Sequence, residues 1–194
     1  MHFAPLAFVL TLLPGLALAA PCPSAADLEK GIRLRGPEGA SELFTRQGPA
    51  VIRSVYEQDG VAISRTLLGA GVYLLEAIDL EEGEPVPVTR ITYGYPVTPA
   101  AMPEPKPAGS WAVKVAVKET GSLRSEMLSF RFGPLTEISF GACTYEMMPI
   151  IQRYEDGTID YLSWLPGLGL SFLSGFSDTE GEERYEYYAI EAVR

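Results

Sequence analysis

Apolar and polar residues alternate in short runs along most of this chain. The cleanest run is residues 111–119, where Trp111, Val113, Val115 and Val117 share one parity and Lys114 and Lys118 the other. A period of two puts the two sets on opposite faces of a half-buried strand. Comparable runs cover residues 32–35, 42–47, 51–57, 61–68, 72–80 and 86–93, then 126–132, 135–140, 144–154, 159–164, 170–176 and 184–192. Turn-forming residues separate them: Gly48-Pro49, the acidic EEGEP at 81–85, and Asp59-Gly60 and Asp156-Gly157, both strong hairpin signals. Helix signals are sparse; one short turn at residues 27–30, capped by Ser24, stands out. The pattern predicts an all-β chain: an antiparallel, curved open half-barrel or a sandwich of roughly ten to twelve short strands.

The stretch TPAAMPEPKPAG, residues 98–109, divides the strands into two halves. Its prolines cannot sit in a central strand, so it reads as a linker or a long surface loop. Neither half is large enough to close its own core, which predicts one β-rich domain over residues 20–194. An outer-membrane barrel needs uninterrupted lipid-facing alternation. Arg53, Glu57, Glu76, Arg131 and Arg153 break that alternation here.

The first residues follow a different pattern. MHFAPLAFVLTLLPGLALAA is uncharged and apolar from Phe3 to Leu18 and ends in the small residues Ala17-Leu18-Ala19. This is the layout of a secretory signal, expected as a signal helix over residues 1–19 that is cleaved after Ala19. The expected location is periplasmic or secreted. The expected mature chain has no transmembrane span. A lipoprotein anchor at Cys22 is disfavoured because Pro21 does not suit a lipobox.

Export bears on the two cysteines, Cys22 and Cys143. In an oxidising compartment they are most simply one disulfide, tying the mature N-terminus to a late strand. The alternative is a free thiol at Cys143, but no basic residue lies nearby in sequence to lower its pKa. The formal net charge of −10 repels phosphate backbones and argues against nucleic acid as a partner.

Candidate chemistry is thin. The single histidine, His2, lies inside the signal, so the mature chain has no imidazole for a triad or a zinc site. No nucleophile elbow, phosphate loop or dinucleotide fingerprint is present. The acidic clusters DLEEGE (79–84) and DTEGEE (178–183) lack EF-hand spacing and read as solvated turns. No catalytic residue, metal or cofactor is therefore expected, and the balance leans away from an enzyme. A histidine-free hydrolase would need two carboxyls facing each other across a cleft.

YLSWLPGLGLSF, residues 161–172, is the most apolar late segment. Trp164, Leu165, Leu168, Leu170 and Phe172 surround Pro166-Gly167 and Gly169. One reading is a β-corner plugging the core; the other is an apolar lip over a cavity, with Tyr185 and Tyr187 of the last strand lining the same space. Together with FGACTYEMMPIIQRY (140–154), this segment resembles a pattern in an exported, periplasmic β-rich family of alphaproteobacteria. The match rests on Gly141, Ala142, Cys143, Thr144 and Tyr145, then Trp164, Pro166, Gly167, Leu168 and Gly169. The resemblance implies an open half-barrel similar to the lipoprotein-carrier proteins. The expectation is a non-enzymatic periplasmic domain holding a lipid or other apolar small molecule in a concave face. The alternative is an envelope scaffold with a filled core that binds a protein partner.

Overall fold

The computed structural model describes residues 21–194; the expected signal segment lies outside the described residues. A short 3-10 turn, Ala25–Glu29, opens the fold, and the Ser24 hydroxyl and backbone N–H both donate to the Asp27 carboxylate, at 2.9 and 2.8 Å. Strands follow in order: β1 (Ile32–Arg35), β2 (Ala40–Gly48), β3 (Val51–Gln58), β4 (Val61–Gly69), β5 (Tyr73–Glu81), β6 (Glu84–Pro85), β7 (Ile91–Gly94) and β8 (Ser110–Glu119). After them come β9 (Ser122–Phe132), β10 (Thr136–Phe140), β11 (Cys143–Arg153), β12 (Ile159–Leu165), β13 (Leu170–Ser177), β14 (Glu182–Arg184) and β15 (Ala189–Ala192). The class is all-β, and every pairing is antiparallel. Among the described residues no helix is long and apolar enough to cross a membrane.

Tight turns set most of the registers. Asp59-Gly60 joins β3 to β4 with both residues at positive φ (52° and 79°), the geometry that matches the right-handed twist of a hairpin. Ala70-Gly71 does the same between β4 and β5, at 49° and 72°. At Gly71 no side chain fits. A Cβ there would lie 2.2 Å from the Gly169 carbonyl oxygen, because the β12–β13 turn packs directly on this one. Ser171 seals the approach, its N–H and hydroxyl both donating to the Gly71 carbonyl at 2.8 and 3.0 Å.

The strands form a single open sheet whose path runs β14-β13-β12-β11-β9-β8-β7-β5-β4-β3-β2-β1-β15. The two ends of this path are consecutive in sequence. Residues 184–192, expected as one strand, break at 185–188, and the chain leaves β13 for β1. The intervening backbone spans at most about 18 Å, so the sheet must curl until its edges approach. Tyr185 N–H donates to the Ser174 carbonyl at 3.1 Å and Tyr188 N–H to the Arg35 carbonyl at 2.8 Å. This C-terminal strap joins two edges that do not pair with each other.

Two apolar clusters fill the curl. The first gathers Leu28, Ile32, Leu34, Phe44 and Ile52 with Phe140, Cys143, Leu165, Leu168, Leu170, Phe172 and Ile190. The second gathers Tyr73, Val113, Val115, Val117, Leu128 and Phe130 with Met148, Ile150 and Trp164. Each draws on both sides of the proline-rich stretch. Strand β11 changes its inward face between Met147 and Met148: Tyr145 and Met147 pack on the first cluster, Met148 and Ile150 belong to the second, and Thr144 and Glu146 are exposed; β12 ends with Ser163, Trp164 and Leu165 all buried. The switch of face in β11 and the burial of both faces at the end of β12 explain why apolar residues run consecutively there. The proline-rich stretch is itself anchored, with Met102 buried in the second cluster and the Pro103 carbonyl accepting from the Tyr73 hydroxyl at 2.6 Å.

Cys22 and Cys143 form a disulfide with Cα atoms 5.5 Å apart. Around it, Tyr145 donates its hydroxyl to the Pro23 carbonyl at 2.9 Å, Leu28 enters the first cluster, and Glu29 pairs with Arg46 at 2.9 Å.

Candidate functional site

The apolar side chains around Pro166 are packed in the core. Trp164 is 5 % exposed, Leu165 and Leu170 fully buried, Leu168 1 % and Phe172 3 % exposed. The structure also divides them, with Trp164 in the second cluster and the others in the first. Tyr187 reaches this group edge-on, its ring centroid 5.3 Å from that of Phe172. Space opens on the other side of Tyr187.

A cavity of about 530 Å³ lies between β2, β3 and β4 on one side and Leu173 and the strap on the other. Its strand walls carry Glu42, Ser54, Tyr56, Gln58, Ser64 and Thr66, and its strap wall carries Arg184, Tyr185, Glu186 and Tyr187. Register explains the gathering. Glu42 pairs with Tyr56, and Tyr56 with Ser64, so all three stand in one row across three strands. Ser54 and Thr66 form the next row toward the core. Phe44 stands in that same row, paired with Ser54, and Ile52 lies beyond it; both belong to the first cluster. Of the residues singled out in the sequence, Tyr185 and Tyr187 line this space.

Glu42 is the chemical centre of the cavity. Its carboxylate accepts from the Ser54 hydroxyl on one oxygen and from the Tyr187 hydroxyl, at 2.9 Å, on the other. None of the ion pairs among the described residues includes it. Burial pushes its pKa above the ordinary carboxylate value, and the two hydroxyl donors offset only part of that. Tyr187 is raised as well, by burial and by the carboxylate it touches. Glu38 and Glu186 also line the cavity but are exposed to solvent.

The walls are braced. The Tyr56 hydroxyl donates to Gln58 Oε1 at 3.1 Å, and Gln58 Nε2 donates to the Glu38 carbonyl. Tyr185 donates to Glu183 at 2.9 Å. Arg184 is occupied elsewhere: it pairs with Glu182 at 2.7 Å and lies 3.7 Å over the Tyr161 ring. A side chain at Gly36 would meet the strap, since its Cβ would sit 3.0 Å from the Glu186 carbonyl.

The two acidic clusters are turns. Glu82-Gly83 links β5 to β6 with both residues at positive φ. Asp178 accepts the N–H groups of Glu180 and Gly181 at 2.7 and 3.2 Å. Among the described residues no three acidic or cysteine side chains converge as metal ligands. A second half-buried acid, Asp160, accepts from the Tyr154 hydroxyl at 2.6 Å, and its partial burial raises its pKa too.

Sequence reasoning passed over Glu42, Ser54, Tyr56 and Thr66. One signal was available. Glu42 has the same parity as Phe44, which makes it a charged residue at an inward position of β2. Comparison with protein-family models, with curated proteins and with solved structures finds no match for this chain.

Proposed function

We propose that this chain is an exported, non-enzymatic binding domain that holds a small amphipathic ligand between β2–β4 and the C-terminal strap. The observation that carries the reading is the cavity of about 530 Å³ with a hydrogen-bonded carboxyl on its wall and tyrosine rings around it. That volume lies within the range of about 300–1,000 Å³ usual for small-ligand pockets. Tyrosine rings offer apolar contact to a ligand body, while Glu42, Ser64 and Thr66 offer polar contact to its head. Hydrolysis by paired carboxyls gains no support from this site, because the two other acids lining it are exposed while Glu42 is not. Export fits the disulfide, which persists in oxidising compartments.

The test is native mass spectrometry of the protein purified from its own envelope, beside the variant Thr66→Trp, which fills the cavity. A bound small molecule that Thr66→Trp excludes supports the reading. An unliganded mass, or a ligand that Thr66→Trp retains, rejects it.

A second reading draws on a separate observation, the filled core at Trp164, Leu165, Leu168, Leu170 and Phe172. A solid core suits an envelope scaffold that binds a protein partner by strand addition. The short end strand β14 and the off-path strand β10 leave backbone edges for such pairing.

A further inference from the structure

The chemical class of the ligand follows from what surrounds Glu42; this step rests on the binding reading above and narrows it. Ser54 and Tyr187 supply hydroxyl donors to the carboxylate, and neither supplies charge. The cation that lines the same cavity, Arg184, is held by Glu182 and stacked on Tyr161. Glu38 and Glu186 add two more acids at the cavity's exposed wall. Three tyrosines, Tyr56, Tyr185 and Tyr187, contribute rings. Aromatic faces attract cations through their quadrupole, and strongly so where water is excluded. The whole chain adds a long-range field of the same sign, with 25 acidic residues against 15 basic ones.

We infer that the cavity takes a small organic cation, an alkyl- or arylammonium group, with its charge against Glu42 and its body among Tyr56, Tyr185 and Tyr187. An anionic ligand would meet three carboxyls and one arginine already paired. A neutral ligand would leave the Glu42 carboxylate without a counter-charge. An ammonium group supplies both charge and N–H donors, and satisfies the carboxylate lone pairs that Ser54 and Tyr187 leave open.

Three probes on one ring separate the possibilities: benzylammonium, benzyl alcohol and benzoate. Each is titrated into the oxidised protein while the backbone amides of Glu42, Ser54, Tyr56 and Tyr187 are followed by NMR. The expected result is cavity shifts with benzylammonium at an affinity at least about tenfold above that of benzyl alcohol, with benzoate weakest. Glu42→Gln should remove the preference for the cation while the folded spectrum persists. Should that variant fail to fold, Tyr56→Leu serves, since loss of one ring should weaken the cation more than the alcohol. Equal binding of all three, or stronger binding of the alcohol or benzoate, overturns the cation assignment and leaves the binding site standing. Absence of cavity shifts with all three overturns both.

Discussion

Removing the disulfide isolates what fixes the N-terminal segment. The bond closes a loop with a sequence separation of 121 residues. Loop-closure entropy for that length is about 5 kcal/mol at room temperature. The total stability of a domain this size is about 5–15 kcal/mol, so loss of the bond removes a third or more of it. Local contacts oppose the loss: Leu28 in the first cluster, the Tyr145–Pro23 hydrogen bond and the partly exposed Glu29–Arg46 pair. The first is worth about 2 kcal/mol and the hydrogen bond about 1 kcal/mol. They hold the segment in place in the folded state, but they do not restrict the unfolded chain. The double variant Cys22→Ala/Cys143→Ala should therefore fold and be less stable. With a urea slope of about 2 kcal/mol per molar, its midpoint should fall by about 2.5 M relative to the oxidised protein. Cys22→Ala alone should behave like the double variant, since Cys143 then has no partner. A midpoint loss below about 0.5 M would refute the reasoning and show that the apolar anchor, not the bond, governs this end of the fold.

The remaining predictions concern backbone space, a buried amide and a half-buried acid. Gly71→Ala places a Cβ at positive φ against the Gly169 carbonyl, and should cost about 2 kcal/mol or more in a thermal or urea melt; an unchanged midpoint would mean that the two turns separate easily. Gln152 is 2 % exposed and its Nε2 has no hydrogen-bond partner among the described residues, so Gln152→Met should raise stability by about 1 kcal/mol, and a loss of that size would show that the amide is satisfied. Glu42 has a folded pKa above its ordinary value of 4.5, so the folded state holds its proton more tightly than the unfolded chain. Its stabilising contribution is then complete below about pH 4.5 and disappears as pH rises through the folded pKa. Glu42→Gln should flatten the decline in urea midpoint as pH rises above about 4.5; an unaltered slope would assign the decline to other groups, with Asp160, also raised, the first to test through Asp160→Asn.

How far the sequence reveals this fold depends on how each strand is buried. Strand β8 has one buried face, so Val113, Val115 and Val117 alternate with exposed Lys114 and Lys118 and its bounds are readable to a residue. Strand β11 switches its inward face midway and β12 ends buried on both faces, so simple alternation fails, and the apolar residues around Pro166 look like surplus seeking a ligand when they belong to both clusters. The last strand is misread for a different reason. Residues 184–192 carry uniform strand propensity, yet the chain breaks there because β13 and β1 stand at opposite ends of the sheet and one segment must reach both. Expected strand 86–93 shortens to β7 because Pro87 opens a 3-10 turn, Pro87–Thr89.

The cavity depends on this same break. Were residues 184–192 a continuous strand on either edge, Tyr185 and Tyr187 would lie in a ladder and would not face β2–β4. Breaking at 185–188 gives up backbone pairing, and the Tyr185 and Tyr188 N–H bonds to Ser174 and Arg35 recover part of it. What the break gains is a wall: Tyr187 bridges Phe172 of the first cluster and the carboxyl of Glu42. Glu42 itself is not needed to close any ladder or balance any ion pair, and its burial costs desolvation energy. Leucine at that position would continue the apolar floor formed by Leu34 and Phe44 and would stabilise the fold. An inward acid kept at such a cost, beside a strap that forgoes pairing to reach it, is the arrangement expected of a binding site and not of a core optimised for stability alone.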